Sequence, residues 1–279
     1  MGELKMTKLL ENKVAIITGT ARGIGQATAA LFAQHGARVV MSDIDAGPLN
    51  EAAAAIQKSG GEVLPVAGDV TDPQFPDRLV KAALEKFGGL DIIVNNAGYT
   101  WDGVVHKMTD QQWQAIIDCH LTAPFRIIRA ASGFIRETAK KEQAEKGRAN
   151  ARKIINISST SGTRGNPGQA NYASGKAGVV GMIKTISKEW GMFNVQANAV
   201  AFGWIETRLT HAKEDQVKIK RGDAEIELGI PAERLQMMPK FIPMGRAGTP
   251  QEAAGAVLFF ASPLSDYVSG QVLEVTGGL

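Results

Sequence analysis

The sequence predicts an α/β fold: a single-domain, doubly wound parallel sheet with helices on both faces. Three observations predict it. Short Val- and Ile-rich runs without polar alternation recur between longer amphipathic stretches, as expected of strands covered on both faces by crossover helices. A glycine-studded turn joins the first apolar run to the first helical one. No proline- or serine-rich linker and no internal repeat divides the 279 residues, enough chain to bury a sizeable core.

In chain order, VAIIT (14–18) reads as a buried strand and GIGQATAALFAQHG as a helix closed by Gly36. ARVVMSD (37–43) follows, then a helix through NEAAAAIQKSGG and a strand in EVLPVAGDV (62–70). A helical stretch from Gln74 to Phe87 leads to DIIVNNAG (91–98). A helix around 110–130 precedes KIINISS (153–159), one from about 171 to 190 precedes VQANAVAFG (195–203), and GQVLEVTGG (270–278) is the last strand. Two segments stand outside the pattern. RETAKKEQAEKGRANARK (136–153) mixes charges of both signs and reads as a solvated helix end and loop. Residues 208 to 243 are long for a connector and mix helical periodicity with prolines, which fits a lid over a site or an excursion serving subunit contacts.

Composition narrows the function classes. A 44% hydrophobic and 21% charged chain is ordinary for a globular protein. Its 31 basic and 28 acidic residues are interspersed, with no basic block to track a phosphate backbone, which argues against nucleic acid as a partner. Cys119 is the sole cysteine, so neither an internal disulfide nor a cysteine zinc cage can form, and the four histidines lack metal-ligand spacing. The opening MGELKMTKLLENK has no apolar signal core, and no apolar run approaches the ~18 residues of a membrane span. A cytoplasmic setting, without metal or membrane, is the expectation.

TGTARGIG (18–25) lies between the first strand and the first helix. Gly19 allows the tight turn, Gly23 lets the main chain approach a pyrophosphate, and Gly25 permits close helix packing, with Arg22 and Ile24 between them. The helix start offers free N–H groups and a positive dipole end to that anion. Asp43 ends the next strand, where a carboxylate accepts from adenosine ribose hydroxyls and repels a 2′-phosphate, favouring NAD over NADP. Arg22 pulls the other way, because a guanidinium beside the turn can bind that phosphate.

Tyr172 and Lys176 share one helix face at i and i+4. A phenol ordinarily titrates near ~10, and a neighbouring ammonium would lower that value and make it usable in proton transfer. Ser159 lies at the carboxyl end of KIINISS, the edge where open α/β sheets collect ligands. Tyr-x-x-x-Lys alone occurs by chance in many chains; with the serine and the dinucleotide turn, chance is a poor explanation.

With TGTARGIG, Asp69–Val70, NNAG (95–98), Ser159, YASGK (172–176) and a terminal TGG, the sequence resembles the short-chain dehydrogenase/reductase family over essentially its whole length. IINISSTSGTRGNPGQANYASGKAG is most similar to its 3-oxoacyl reductase branch. The resemblance implies a Rossmann fold, a homotetramer and a set of roles. Tyr172 would be the acid/base, Ser159 would orient the substrate oxygen, and Lys176 would bind the nicotinamide ribose and lower the tyrosine pKa. Asp69 and Val70 would line the adenine; Asn96 with the main chain of Ala97 and Gly98 would support the cofactor's middle; Ile205 and Thr207 would contact its nicotinamide end.

Two departures from the family pattern stand out. His120 replaces a usual asparagine, either as a tolerated structural residue or as a member of a proton relay. Phe202 replaces a usual proline, packing under the cofactor or filling the core. Tyr99, Trp101, loop 160–169 and the segment 204–243 would build the substrate pocket. Trp204, Leu209, Met237, Met238 and Phe241 would form an apolar lid there, with plain core as the default reading. Lys213, Lys218, Lys220 and Arg221 would meet a carrier's phosphates or simply face solvent. The leading expectation is an NAD-linked enzyme interconverting a secondary alcohol and a ketone, the substrate small or thioester-linked. Rival expectations are an NADPH-linked 3-oxoacyl reductase and a nucleotide-binding protein with little turnover.

Overall fold

The computed structural model describes residues 8–212, 218–221 and 224–279. The opening MGELKMT and Lys213 lie outside them, and of Arg221 only the backbone is described. The strands are β1 (Val14–Thr18), β2 (Arg38–Asp43), β3 (Glu62–Ala67), β4 (Ile92–Asn95), β5 (Arg152–Ser159), β6 (Val195–Phe202), β7 (Lys218–Arg221), β8 (Ala224–Glu227) and β9 (Val272–Val275). The helices are α1 (Gly23–Gln34), α2 (Ala46–Lys58), α3 (Phe75–Phe87), α4 (Asp110–Ile117), α5 (Ala123–Lys146), α6 (Thr160–Arg164), α7 (Ala170–Glu189), α8 (Ala232–Phe241) and α9 (Pro250–Ala261).

Seven strands form one parallel sheet in the order β3-β2-β1-β4-β5-β6-β9. The order reverses direction between β1 and β4, which opens a crevice beyond the carboxyl ends of the strands. Alternate residues of one strand feed two separate cores. In β1, Val14 and Ile16 join Phe75, Leu79 and Ile183 on one face, while Ala15 and Ile17 join Phe32, Leu49 and Phe260 on the other. Burying each such side chain contributes roughly 1.5–3 kcal/mol, which is why the strands read as continuous apolar runs.

Three segments differ from expectation. The helix expected around 110–130 is α4 and α5 joined through a π-helical turn, Asp118–Thr122, which widens the backbone where it passes the crevice. The charged stretch 136–153 is not all solvated. α5 runs to Lys146 and closes on Gly147 in the left-handed region, and Arg152 and Lys153 are then buried. Arg152 makes a two-point pair with Glu142 (2.9 Å each), and Lys153 Nζ reaches Asp266 at 2.7 Å. Between β6 and α9 the chain forms a two-stranded antiparallel hairpin, β7–β8, followed by α8. Among the described residues no helix is long and apolar enough to cross a membrane, and no three His, Cys, Asp or Glu side chains cluster as metal ligands.

Candidate active site

The crevice is a cleft of about 1080 Å³ above the β1/β4 switch. Every residue that the sequence assigned to the cofactor or the chemistry lines it, with one exception: His120 lies buried behind the wall.

At its phosphate end the turn after β1 holds Gly19 and Gly23 in the left-handed region (φ 71 and 60). Gly25 is compulsory for a different reason, since a Cβ there would sit 2.0 Å from the carbonyl oxygen of Gly19. No side chain caps the start of α1. Its N–H groups and positive dipole end therefore face the cleft unmasked, and these residues fit a pyrophosphate. Asn96 acts on this turn: its amide donates to the carbonyls of Thr18 (2.8 Å) and Gly19 (3.0 Å). The Ala97 N–H is spent on Thr18 Oγ1 at 3.0 Å. Asn96 and Ala97 thus brace the cradle.

At the end of β2, Asp43 Oδ2 accepts from the Ala21 N–H at 2.9 Å and Oδ1 from the Asp45 N–H at 3.1 Å. Asp69 Oδ1 is fixed by the N–H and hydroxyl of Thr71 at 2.8 and 2.7 Å. Arg22, the residue that argued for a 2′-phosphate, pairs with Asp45 at 2.9 Å. Asp45 was missed; the DID triplet is its only sequence signal.

At the opposite end β5 delivers Ser159 and α7 delivers Tyr172 and Lys176. Tyr172 is partly exposed to the cleft, yet surrounding protein strips its hydroxyl of water, and burial pushes its phenol up to about 12. A hydrogen bond with the Ser159 side chain pulls the other way, while the charge of Asp102 adds to the rise. The expected lowering by Lys176 does not prevail. Lys176 is itself buried, which pushes its ammonium down to about 8, and its Nζ donates to the Ile157 carbonyl at 2.7 Å, 5.6 Å from the Tyr172 ring centre. The i, i+4 spacing aligned the two side chains, but the lysine is anchored by a strand carbonyl that spacing cannot reveal.

His120 sits on the π-helical turn, its ring nearly perpendicular to that of Tyr172 (84°) with centroids 4.9 Å apart. Nε2 lies 2.7 Å from the Tyr99 carbonyl oxygen and 3.3 Å from the Tyr99 N–H, while Nδ1 has no hydrogen-bond partner among the described residues. Burial, then the charge of Lys176, hold its pKa well below the usual histidine value against that hydrogen bond, so the imidazole is neutral near pH 7.

Ile205 and Phe202 serve both the core and the cleft wall. The Thr207 methyl approaches the glycine turn, 3.5 Å from where a Gly23 Cβ would be, and Thr207 lines the cleft. The core reading of the 204–243 apolar residues fails for Met237 and Phe241, which are 49% and 64% exposed on the cleft side of α8. Asp102 and Gln169 add a polar group near Tyr172, joined at 3.0 Å, that the sequence did not announce.

A family model described as enoyl-(acyl carrier protein) reductase matches residues 19–279. The chain is 38% identical over 275 residues to the 3-oxoacyl-[acyl-carrier-protein] reductase FabG of Chlamydia muridarum, covering 98% of this chain and 100% of the relative. It is 38% identical over 270 residues to the protein of that name from Thermotoga maritima, covering 97% and 98%. Against an uncharacterized oxidoreductase of Mycobacterium tuberculosis it is 39% identical over 275 residues, covering 98% and 99%.

Proposed function

Because the chain belongs to the short-chain dehydrogenase/reductase family of NAD(P)-dependent oxidoreductases acting on alcohol and keto groups, we propose that it interconverts a secondary alcohol and a ketone with NAD(H). The substrate we assign is a 3-hydroxyacyl/3-oxoacyl group on a thioester, a reading supported by the names of the relatives and by the apolar side chains of Trp204, Leu209, Met237 and Phe241 that line the cleft. One observation carries the reaction: Ser159 and Tyr172, with buried Lys176 behind them, line one end of a cleft whose other end presents Asp43.

With its phenol near 12, Tyr172 holds its proton at neutral pH and donates it to the substrate carbonyl oxygen during reduction. Ser159, beside that phenol at the end of β5, positions the same oxygen. Lys176 stabilises charge on the phenol as the proton leaves, from a position fixed by Ile157. The nicotinamide, when bound, exchanges the hydride with the substrate carbon. His120 is a positioning residue that holds the Tyr172 ring. Asp43 would receive the ribose hydroxyls, Asp69 and Val70 the adenine, and Ile205 the nicotinamide side.

We also assign a homotetramer, supported by the exposed apolar side chains Phe125, Leu264 and Tyr267. A second reading is an NADPH-dependent 3-oxoacyl-[acyl-carrier-protein] reductase: the relatives' names support the acyl substrate, and Arg22 in the cleft favours the phosphorylated cofactor. Initial rates with NADH and NADPH on an acetoacetyl thioester decide between them. Faster turnover with NADH is expected; preference for NADPH replaces the first reading by the second. Absence of turnover on that thioester and on a panel of ketones and alcohols would sink both.

A further inference from the structure

Arg22 and Arg208 both line the adenosine end of the cleft, one from the glycine turn and the other from the chain just past Thr207. Both reach one carboxylate oxygen. Arg22 Nη1 is 2.9 Å and Arg208 Nη1 3.6 Å from Asp45 Oδ2. Asp45 occupies the N-cap of α2, yet its side chain caps no N–H there. The aspartates therefore divide their roles. Asp43 is pinned by two main-chain N–H groups at the ribose position, whereas Asp45 faces two guanidiniums.

Guanidiniums recognise phosphate oxygens by charge-assisted, forked hydrogen bonds, and two beside a ribose are enough to hold a 2′-phosphate. The four side chains carry two positive and two negative charges, so the end of the cleft is neutral as built. Removing the Asp45 charge leaves a net positive site around the same sugar. These pairs are partly exposed and each contributes little to stability, so what the pairing controls is where the guanidiniums point.

We propose that Asp45 is a second determinant of cofactor selectivity, a resident anion that occupies Arg22 and Arg208 and denies them to a 2′-phosphate. The inference rests on the dinucleotide reading of this cleft. It is tested on the full chain by calorimetric titration with adenosine 5′-monophosphate and adenosine 2′,5′-bisphosphate, which needs no turnover. Asp45→Asn keeps a residue suited to a helix N-cap, so α2 is preserved. The affinity ratio should move toward the bisphosphate by about tenfold, ~1.4 kcal/mol, and the gain should shrink as salt is added. Arg22→Ala in the Asp45→Asn background should reverse it. An unmoved ratio, with the monophosphate still bound by the wild type, overturns the role of Asp45 alone. A wild type that binds neither nucleotide overturns the dinucleotide reading with it.

Discussion

Gly98→Ala probes how tightly the wall behind the active site sets the tyrosine. A Cβ at Gly98 would lie 2.2 Å from His120 Cε1 and 3.0 and 3.1 Å from its ring nitrogens. Carbon atoms rest ~3.5–4 Å apart, so the imidazole must retreat by more than ~1 Å. It has little room: it is 3% exposed, held at Nε2 by the Tyr99 main chain and packed nearly perpendicular to the Tyr172 ring. Overpacking of this kind costs about 1–3 kcal/mol of stability, and displacing a reacting group by about 1 Å costs about a hundredfold in rate. Thermal denaturation and steady-state ketone reduction read the two effects separately. We expect a lowered Tm and kcat down about a hundredfold. Replacing His120 by alanine in the same chain should return at least tenfold of that loss, because the methyl then enters the vacated space. Wild-type turnover in Gly98→Ala, or a double variant no faster than the single, would refute the packing argument.

The remaining predictions concern the imidazole and the buried ion pair. His120→Asn should stay within tenfold of wild-type kcat, as a positioning role requires; a loss of about a thousandfold with binding intact, ~4 kcal/mol at the transition state, would instead make the imidazole a proton relay. Burial works against the Glu142 charge, but its hydrogen bonds to Arg152 and Asn150 outweigh that and hold the carboxyl at about 2, below its ordinary 4.5. A depressed carboxylate stabilises above the unfolded value, so the benefit is full above pH ~4.5 and fades as pH falls toward 2, worth about 1–2 kcal/mol after solvent screening. Urea midpoints of the wild type and Glu142→Gln should differ at pH 7, draw together below pH ~4.5 and converge only near pH 2; a constant gap would show that the pair does not act through this titration.

Legibility followed burial. β1 was read to the residue because both its faces are covered and its apolar run stops where the glycine turn begins. β9 was read too long because Gly270, Gly277 and Gly278 are turn residues with positive φ, and Gly-Gln or Thr-Gly next to Val and Leu does not look different in sequence. The π-helical turn adds one residue to a helical repeat, too small a drift to disturb the apolar period around Cys119. β7 and β8 were missed although Ile219 and Ile226 are buried partners flanked by charge; alternation this short is easily absorbed into a helical pattern. Ser159, Tyr172 and Lys176 were legible because strand end and helix spacing bring them together. The direction of the tyrosine shift was not, since it depends first on burial and then on the charges of Asp102 and Cys119 rather than on the one lysine four residues away. Asp45 and Arg208 meet only after folding brings the β2–α2 and post-β6 loops together.

Tyr172→Phe is the most direct test, because it deletes the transferable proton and leaves the ring to pack against His120. Turnover should fall at least a thousandfold, ~4 kcal/mol, while calorimetric binding of adenosine 5′-monophosphate persists. Ketone reduction by that variant within tenfold of the wild type would contradict the assignment of proton transfer to this phenol.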